Sequence, residues 1–98
     1  PIQVVVLPIT DRVNEYSNSI FERMKEENIR CELRVGSEKI NKKIRDAQLE
    51  KIPYMLIIGE KEEKNKTVSV RERKKGNIGE VNLDKFIENL KDQIKSKK

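Results

Sequence analysis

Two stretches of this 98-residue chain carry most of the side chains that could do chemistry. The first is EKINKKIRDAQLEKIPYMLIIGEKE, Glu38 to Glu62, in which Lys39, Lys42, Lys43, Arg45 and Lys51 run into an apolar strand, a glycine and a group of carboxylates. With Ile40 at zero on a helical wheel at about 100° per residue, Ile40, Ile44 and Ala47 form a narrow apolar stripe. Lys42 and Arg45 lie opposite it, and Lys39 and Lys43 share a flank. Like charges four apart cost a few tenths of a kcal/mol, and Glu38 offsets part of this through Lys42. The second stretch is the alternating segment Thr67 to Arg73, whose polar face presents Thr67, Ser69, Arg71 and Arg73. Guanidinium is planar, stacks on bases and makes forked bonds to phosphate or a base edge. The segment GEKEEKNK, Gly59 to Lys66, reads as a loop. Its carboxylates can accept from the N1–H and amino group of an unpaired guanine. Each feature also has a bland reading: a solvated helix face, an edge strand guarded by charge, and a mobile charged loop.

Composition removes several classes of chemistry. The chain has no histidine and one cysteine, Cys31. An internal disulfide framework, a His/Cys zinc site and histidine base catalysis are excluded. Cys31 alternates with apolar residues, which suits a buried strand position, and a lone thiol suits a reducing compartment, the cytoplasm. Gly59 is the only glycine of its loop and no GKS or GKT follows, so a phosphate loop is not indicated. The carboxylates sit in lysine-rich, solvated surroundings unsuited to acid–base work. Phe21 and Phe86 fall on core stripes and leave no aromatic platform for bases. Charged residues make up 40% of the chain and the net charge is +5, which favours an anionic partner. No run is long enough to cross a membrane. The chain begins at Pro1, and it is expected to be a piece of a longer protein.

The elements that must hold these residues follow from hydrophobic pattern. Ile2 to Pro8 is a strand with apolar side chains on both faces. Thr10 or Asp11 caps a helix with the stripe Val13, Tyr16, Ile20 and Met24, and Asn28 stops it. Ile29 to Val35 alternates as a half-buried strand. Ser37 caps the second helix, which ends or bends near Glu50 ahead of Pro53. Tyr54 to Ile58 is another buried strand. Thr67 to Arg73, a turn at Lys74 to Asn77 and Ile78 to Val81 form a hairpin. Asn82 caps a last helix with the stripe Leu83, Phe86, Ile87, Leu90 and Ile94. The expected fold is a three-layer α/β domain. Its mixed five-stranded sheet has the first three strands parallel and the last two antiparallel, flanked by three helices. It is a single domain over residues 1–98, with 95–98 as a basic tail.

The segments IQVVVLPITD, EKINKKIRDAQLEKIPYMLIIGEKE and TVSVRERKKGNIGEVNLDKFIENL resemble the C-terminal anticodon-binding domain of class II aminoacyl-tRNA synthetases. Within that family the likeness is greatest to the threonine-specific enzymes. It spans Ile2 to about Ile94, and its most specific parts are the helix-to-glycine run and VSVR.R. The resemblance implies a tRNA anticodon-binding surface made of Ser37, Lys39, Lys43, Arg45, Lys51, Glu62 and Arg71. By that likeness Glu62 and Arg71 read the middle guanine of the threonine anticodon. Ser37 and Lys39 meet its third-position uracil, and Lys43, Arg45 and Lys51 hold the backbone or loop. Gly36-Ser37 stands where many members have Arg-Asn, Asn41 replaces a common glycine, and Lys51 replaces an arginine.

What the resemblance implies for activity divides between fragment and parent. The fragment binds the anticodon stem-loop of threonine tRNA and is not an enzyme. The parent is a threonine–tRNA ligase whose ATP, magnesium and zinc chemistry belongs to its catalytic domain. The fragment is expected to be a monomer, since no large apolar patch remains once the core stripes are assigned, while the parent is expected to be a homodimer. The alternatives are the prolyl, glycyl or histidyl enzymes, which share the fold, and a free-standing α/β module binding a nucleotide or a protein.

Overall fold

The computed structural model describes residues 2–96, with side chains through residue 93. Ile94, expected on the last stripe, and the basic tail at 95–98 therefore lie outside the described side chains. Strand β1, Val4–Pro8, is buried along its whole length. Val4 and Val6 enter one core and Val5 and Leu7 the other. A strand buried on both faces needs parallel neighbours and helical cover on each side. It has them: β2, Cys31–Leu33, and β3, Tyr54–Ile58, both pair with it in parallel. Strand β4, Thr67–Glu72, joins β3 antiparallel, and β5, Gly76–Asn82, joins β4 the same way. The sheet order is β2-β1-β3-β4-β5.

Helix α1, Asn14–Glu26, follows a 3-10 turn at Asp11–Val13 whose start is capped by the Thr10 hydroxyl, accepting from the Arg12 N–H. Asn28 ends the segment in the left-handed region at φ 61°. Asn82 caps the last helix, Leu83–Ser96, accepting from the Lys85 N–H at 3.2 Å. These two helices cover one face of the sheet. Val13, Ile20, Met24, Phe86, Ile87 and Leu90 pack there on Val4, Val6, Leu56, Ile58, Val68 and Val70. Leu56 is fully enclosed, so a cavity in its place costs about 2–5 kcal/mol. Helix α2, Ile40–Leu49, covers the other face, over Val5, Leu7 and Met55. It stops where Lys51 takes φ 61° ahead of Pro53, and Leu49, off the stripe, is exposed.

The structure departs from the sequence reading at several points. A further helix, α3, spans Glu60–Asn65 where a loop is expected, so the described residues hold four α-helices, the last (Leu83–Ser96) being α4. Helix α3 buries no side chain, so it has no apolar stripe to betray it. It forms because Glu60, Glu62 and Glu63 occupy the first turn and Lys64 the last, matching the helix dipole at both ends. Helix α2 begins at Ile40, with Lys39 and not Ser37 in the cap position, and without a side-chain cap. Strand β2 keeps only Cys31–Leu33 of the expected Ile29–Val35, because an edge strand pairs only where β1 faces it. Cys31 is half-buried, and burial pushes its thiol up to about 12. The hairpin turn sits at residues 73–75, and a register shift between Val70 and Arg71 bends the β4–β5 pair.

Candidate nucleic-acid interface

Helix α2 distributes its cations unequally. Lys42 is held between Glu38 at 2.9 Å and Asp46 at 3.0 Å. Both carboxylates raise its pKa, first through the Glu38 bond. Lys39, Arg45 and Lys51 make no ion pair among the described residues and are exposed. Lys43 differs from all of them. It is 5% exposed, and its Nζ donates to the Pro8 carbonyl at 3.3 Å. At about −60° on the wheel, Lys43 stands on the flank of the stripe formed by Ile40, Ile44 and Ala47, where the sequence reading placed it, yet the fold buries it there. Glu50, just past α2, takes the Arg34 guanidinium in a fork of two 2.7 Å bonds, and Arg34 also reaches Glu32 at 2.7 Å. These bonds raise the Arg34 pKa, led by Glu50, and lower that of Glu50. Glu50 thus faces β2.

Glu62 lies at the carboxyl end of β3. Gly59 is the cap residue of α3, and its N–H donates to Glu62 Oε1 at 2.7 Å. A glycine has no side chain to return that bond, so only half of a capping box forms. One carboxylate oxygen is occupied by this bond. The other makes no hydrogen bond among the described residues, and the side chain is half-buried. A Cβ on Gly59 would come within 3.1 Å of Glu62 Oε1 and 3.2 Å of Ile9 Cδ1. The absence of a side chain is therefore what lets the carboxylate settle there. Tyr16, whose hydroxyl donates to the Thr67 carbonyl at 2.7 Å, has a raised pKa from burial and then from Glu62 and Glu63.

Arg71 points to the α2 side of the sheet, since Val68 and Val70 fill the opposite core. It pairs with Met55 on β3 and Asn77 on β5. Its side chain is half-buried, and its Nε is cut off from solvent without an acceptor. Ser69 is next along the same face, paired with Ile57 and Glu80. Glu80 is engaged by Thr67 Oγ1, by Asn65 at 2.9 Å and by Lys61 at 3.4 Å, which together hold its carboxyl below the usual range. These contacts fasten α3 to the far strand. Among the described elements α2 packs on β1 and α3 on the ends of β3 and β4, leaving the polar face of β4 bordered by helices rather than covered.

The seven residues thus fall into separate places. Ser37 and Lys39 stand at the start of α2, both exposed, and Glu62 stands at the same end of the sheet. Arg71 is four residues, roughly 13 Å of strand, from the Glu62 end, so the two side chains must extend along the sheet to share one base. Lys51 is at the opposite end of α2, on the rim of an open cleft of about 460 Å³ with Gln3, Pro53, Tyr54, Arg73 and Lys74. Sequence reasoning missed the Arg34–Glu50 fork, which needs tertiary proximity, and the burial of Lys43, which a charge on the flank of the stripe does not signal. Among the described residues no cluster of three His, Cys, Asp or Glu could hold a metal ion, and no helix is long and apolar enough to cross a membrane.

The structure thus exposes cations on α2 and a polar face on β4 of one mixed α/β sheet, and comparison places the domain. The sequence profile of the anticodon binding domain matches residues 3–93, and the chain belongs to that family. The relatives it matches in sequence are threonine–tRNA ligases. That of Aquifex aeolicus (strain VF5) is 47% identical over 97 residues, and that of Caldanaerobacter subterraneus subsp. tengcongensis is 50% identical over 97 residues. Both alignments cover 99% of this chain and 15% of the relative, so the chain spans about a seventh of their length. Among solved structures, the RNA binding domain of threonyl-tRNA synthetase from Cryptosporidium parvum Iowa II superposes with a TM-score of 0.88 at 32% identity, over 94% of this chain and 23% of that one.

Proposed function

We propose that this domain is the anticodon-recognition module of a threonine–tRNA ligase. The observation that carries the reading is Arg71: a half-buried guanidinium on a bordered polar sheet face, with an Nε that lacks an acceptor. A buried donor left unbonded costs about 1–3 kcal/mol, and an RNA base or phosphate placed on that face supplies the missing oxygen. The likeness to threonine–tRNA ligases, 47% and 50% identical over 97 residues of this chain, supports the threonine anticodon as the target. Arg71 faces the O6 and N7 acceptors of the middle guanine, and the free oxygen of Glu62 accepts from its Watson–Crick donors. Ser37 and Lys39 meet the third base. Arg45 and Lys51 take phosphates, which position the loop without reading it. The domain binds as a monomer, and it works in the cytoplasm within a homodimeric parent that joins threonine to its tRNA. ATP, magnesium and zinc act in the rest of that parent; binding is this domain's part.

Filter binding with anticodon stem-loops tests the reading. The threonine loop should bind more tightly than loops with another middle base. On single strands, log affinity should fall with log salt by about 0.7 per phosphate contacted. Equal affinity for every loop would refute it.

A further inference from the structure

The segment that presents Ser37 and Lys39 is held at few points. Residues 35–39 are all exposed. On one side Arg34 is fixed, its N–H donating to the Val6 carbonyl at 3.1 Å. On the other side α2 starts without a side-chain cap. Gly36 takes φ 133°, where other residues are strained, and residues 36–38 form a bend without a hydrogen-bonded turn. Ile40, Ile44 and Ala47 hold α2 to the sheet by apolar contact. Among the described residues, the polar link between the first turns of α2 and the sheet is Lys43 Nζ to the Pro8 carbonyl, while the Arg34–Glu50 fork holds the far end of the helix.

That link is an odd use of a lysine. An ammonium has three donors, and here one acceptor meets it, at a distance long for a charged donor. Methionine at this position would fill the same volume without desolvating a charge, and such replacements of buried ions are often neutral or stabilising. Such a bond is weak ground for stability, and what it does is fix where α2 sits against the end of β1. The Pro8 carbonyl lies at the carboxyl end of β1, beside β3, where the chain leaves toward Gly59. This is the end at which open α/β sheets bind ligands.

We propose that Lys43 is a positioning residue for anticodon recognition: its buried ammonium ties the first turns of α2 to the end of β1 and fixes the segment carrying Ser37 and Lys39, without itself touching RNA. A loop loosened by loss of the tie must be ordered again on binding, at the expense of affinity. The RNA part of this inference rests on the function proposed above, whereas the tethering part does not.

Lys43→Met tests both parts in the 98-residue chain. Thermal unfolding should occur at or above the wild-type temperature, while hydrogen exchange at residues 36–42 of the RNA-free protein becomes faster. Affinity for the threonine anticodon stem-loop should fall about tenfold, the size of one lost bond to a charged group. The slope of log affinity against log salt should not change. Wild-type exchange at 36–42 in the variant, or a clear loss of thermal stability, overturns the proposal. A salt slope shallower by about 0.7 overturns it too, because Lys43 then contacts a phosphate. If the wild type discriminates no loops, the functional reading fails, and the exchange measurement still decides the tether.

Discussion

Glu62→Gln isolates a charge from a hydrogen bond. In the folded domain Glu62 Oε1 accepts from the Gly59 N–H at 2.7 Å and so caps α3. Glutamine keeps an amide oxygen that can make the same bond, so the cap survives. What is lost to stability is a negative charge in the first turn of a short helix, worth about 0.3–1 kcal/mol. What is lost to recognition is larger: with its oxygen kept on the Gly59 N–H, the amide turns a clashing NH2 donor toward guanine where the carboxylate offers its free oxygen as an acceptor. A good base-edge pair contributes about 1–3 kcal/mol of discrimination, or roughly 5- to 150-fold in affinity. Titrations should use wild type and variant, each on a threonine loop with guanine and one with adenine at the middle position. The expected outcome is weaker binding of the guanine loop, little change for the adenine loop, and an unfolding transition within a few degrees of wild type. If both affinities fall in parallel, Glu62 contributes only to the cap and the general field, and the assigned reading role is wrong.

Other expectations concern neighbouring parts of the same site. Arg71→Lys keeps the charge but loses the planar fork; affinity for the threonine loop should drop while circular dichroism and the salt slope stay as in wild type. Gly59→Ala puts a methyl against Glu62 Oε1 and Ile9, so the cap must shift; about 1 kcal/mol of stability should be lost in chemical denaturation, with a loss of guanine preference like that of Glu62→Gln. Glu27, Glu50 and Glu80 are all held below the ordinary carboxylate value of 4.5, chiefly by Lys91, Arg34 and Thr67. Since their folded pKa values are lowered, the stability they add is complete above about pH 4.5 and is lost as pH falls through their folded values. Denaturant midpoints measured from pH 7 down to 3 should stay level and then fall below that point; a fall already complete by pH 5.5 would contradict the assignment.

The parts of the fold that were legible in the sequence are those where burial and periodicity coincide. Val4 to Leu7 and Tyr54 to Ile58 announce doubly covered strands, and Val13, Ile20 and Met24 announce a helix face, because apolar spacing is the direct imprint of a core. Asn28 and Asn82 were legible as stop and cap because their side chains act locally. Helix α3 was not, since it buries nothing and its signal lies in the order of charges. The candidate site was drawn from likeness to relatives more than from pattern, because no apolar spacing marks polar residues such as Glu62 and Arg71. Lys43 shows that charge alone does not place a residue on the surface.

The placement of β1 has a consequence for how the chain is assembled. Its four consecutive enclosed residues, Val4 to Leu7, are made early, yet their parallel partners begin only at Cys31 and Tyr54. The β4–β5 hairpin, by contrast, closes through three residues and depends on nothing distant. Local pairing carries little loop-closure entropy, and distant parallel pairing carries more. The hairpin and the α1 and α4 helices should therefore gain structure first, with the centre of the sheet closing last. Until β3 is made and docked, an uncharged run rich in β-branched residues stays open to any strand edge it meets, which is the composition that favours aggregation. The segment most securely hidden in the finished domain is thus the one longest exposed while the chain is being made.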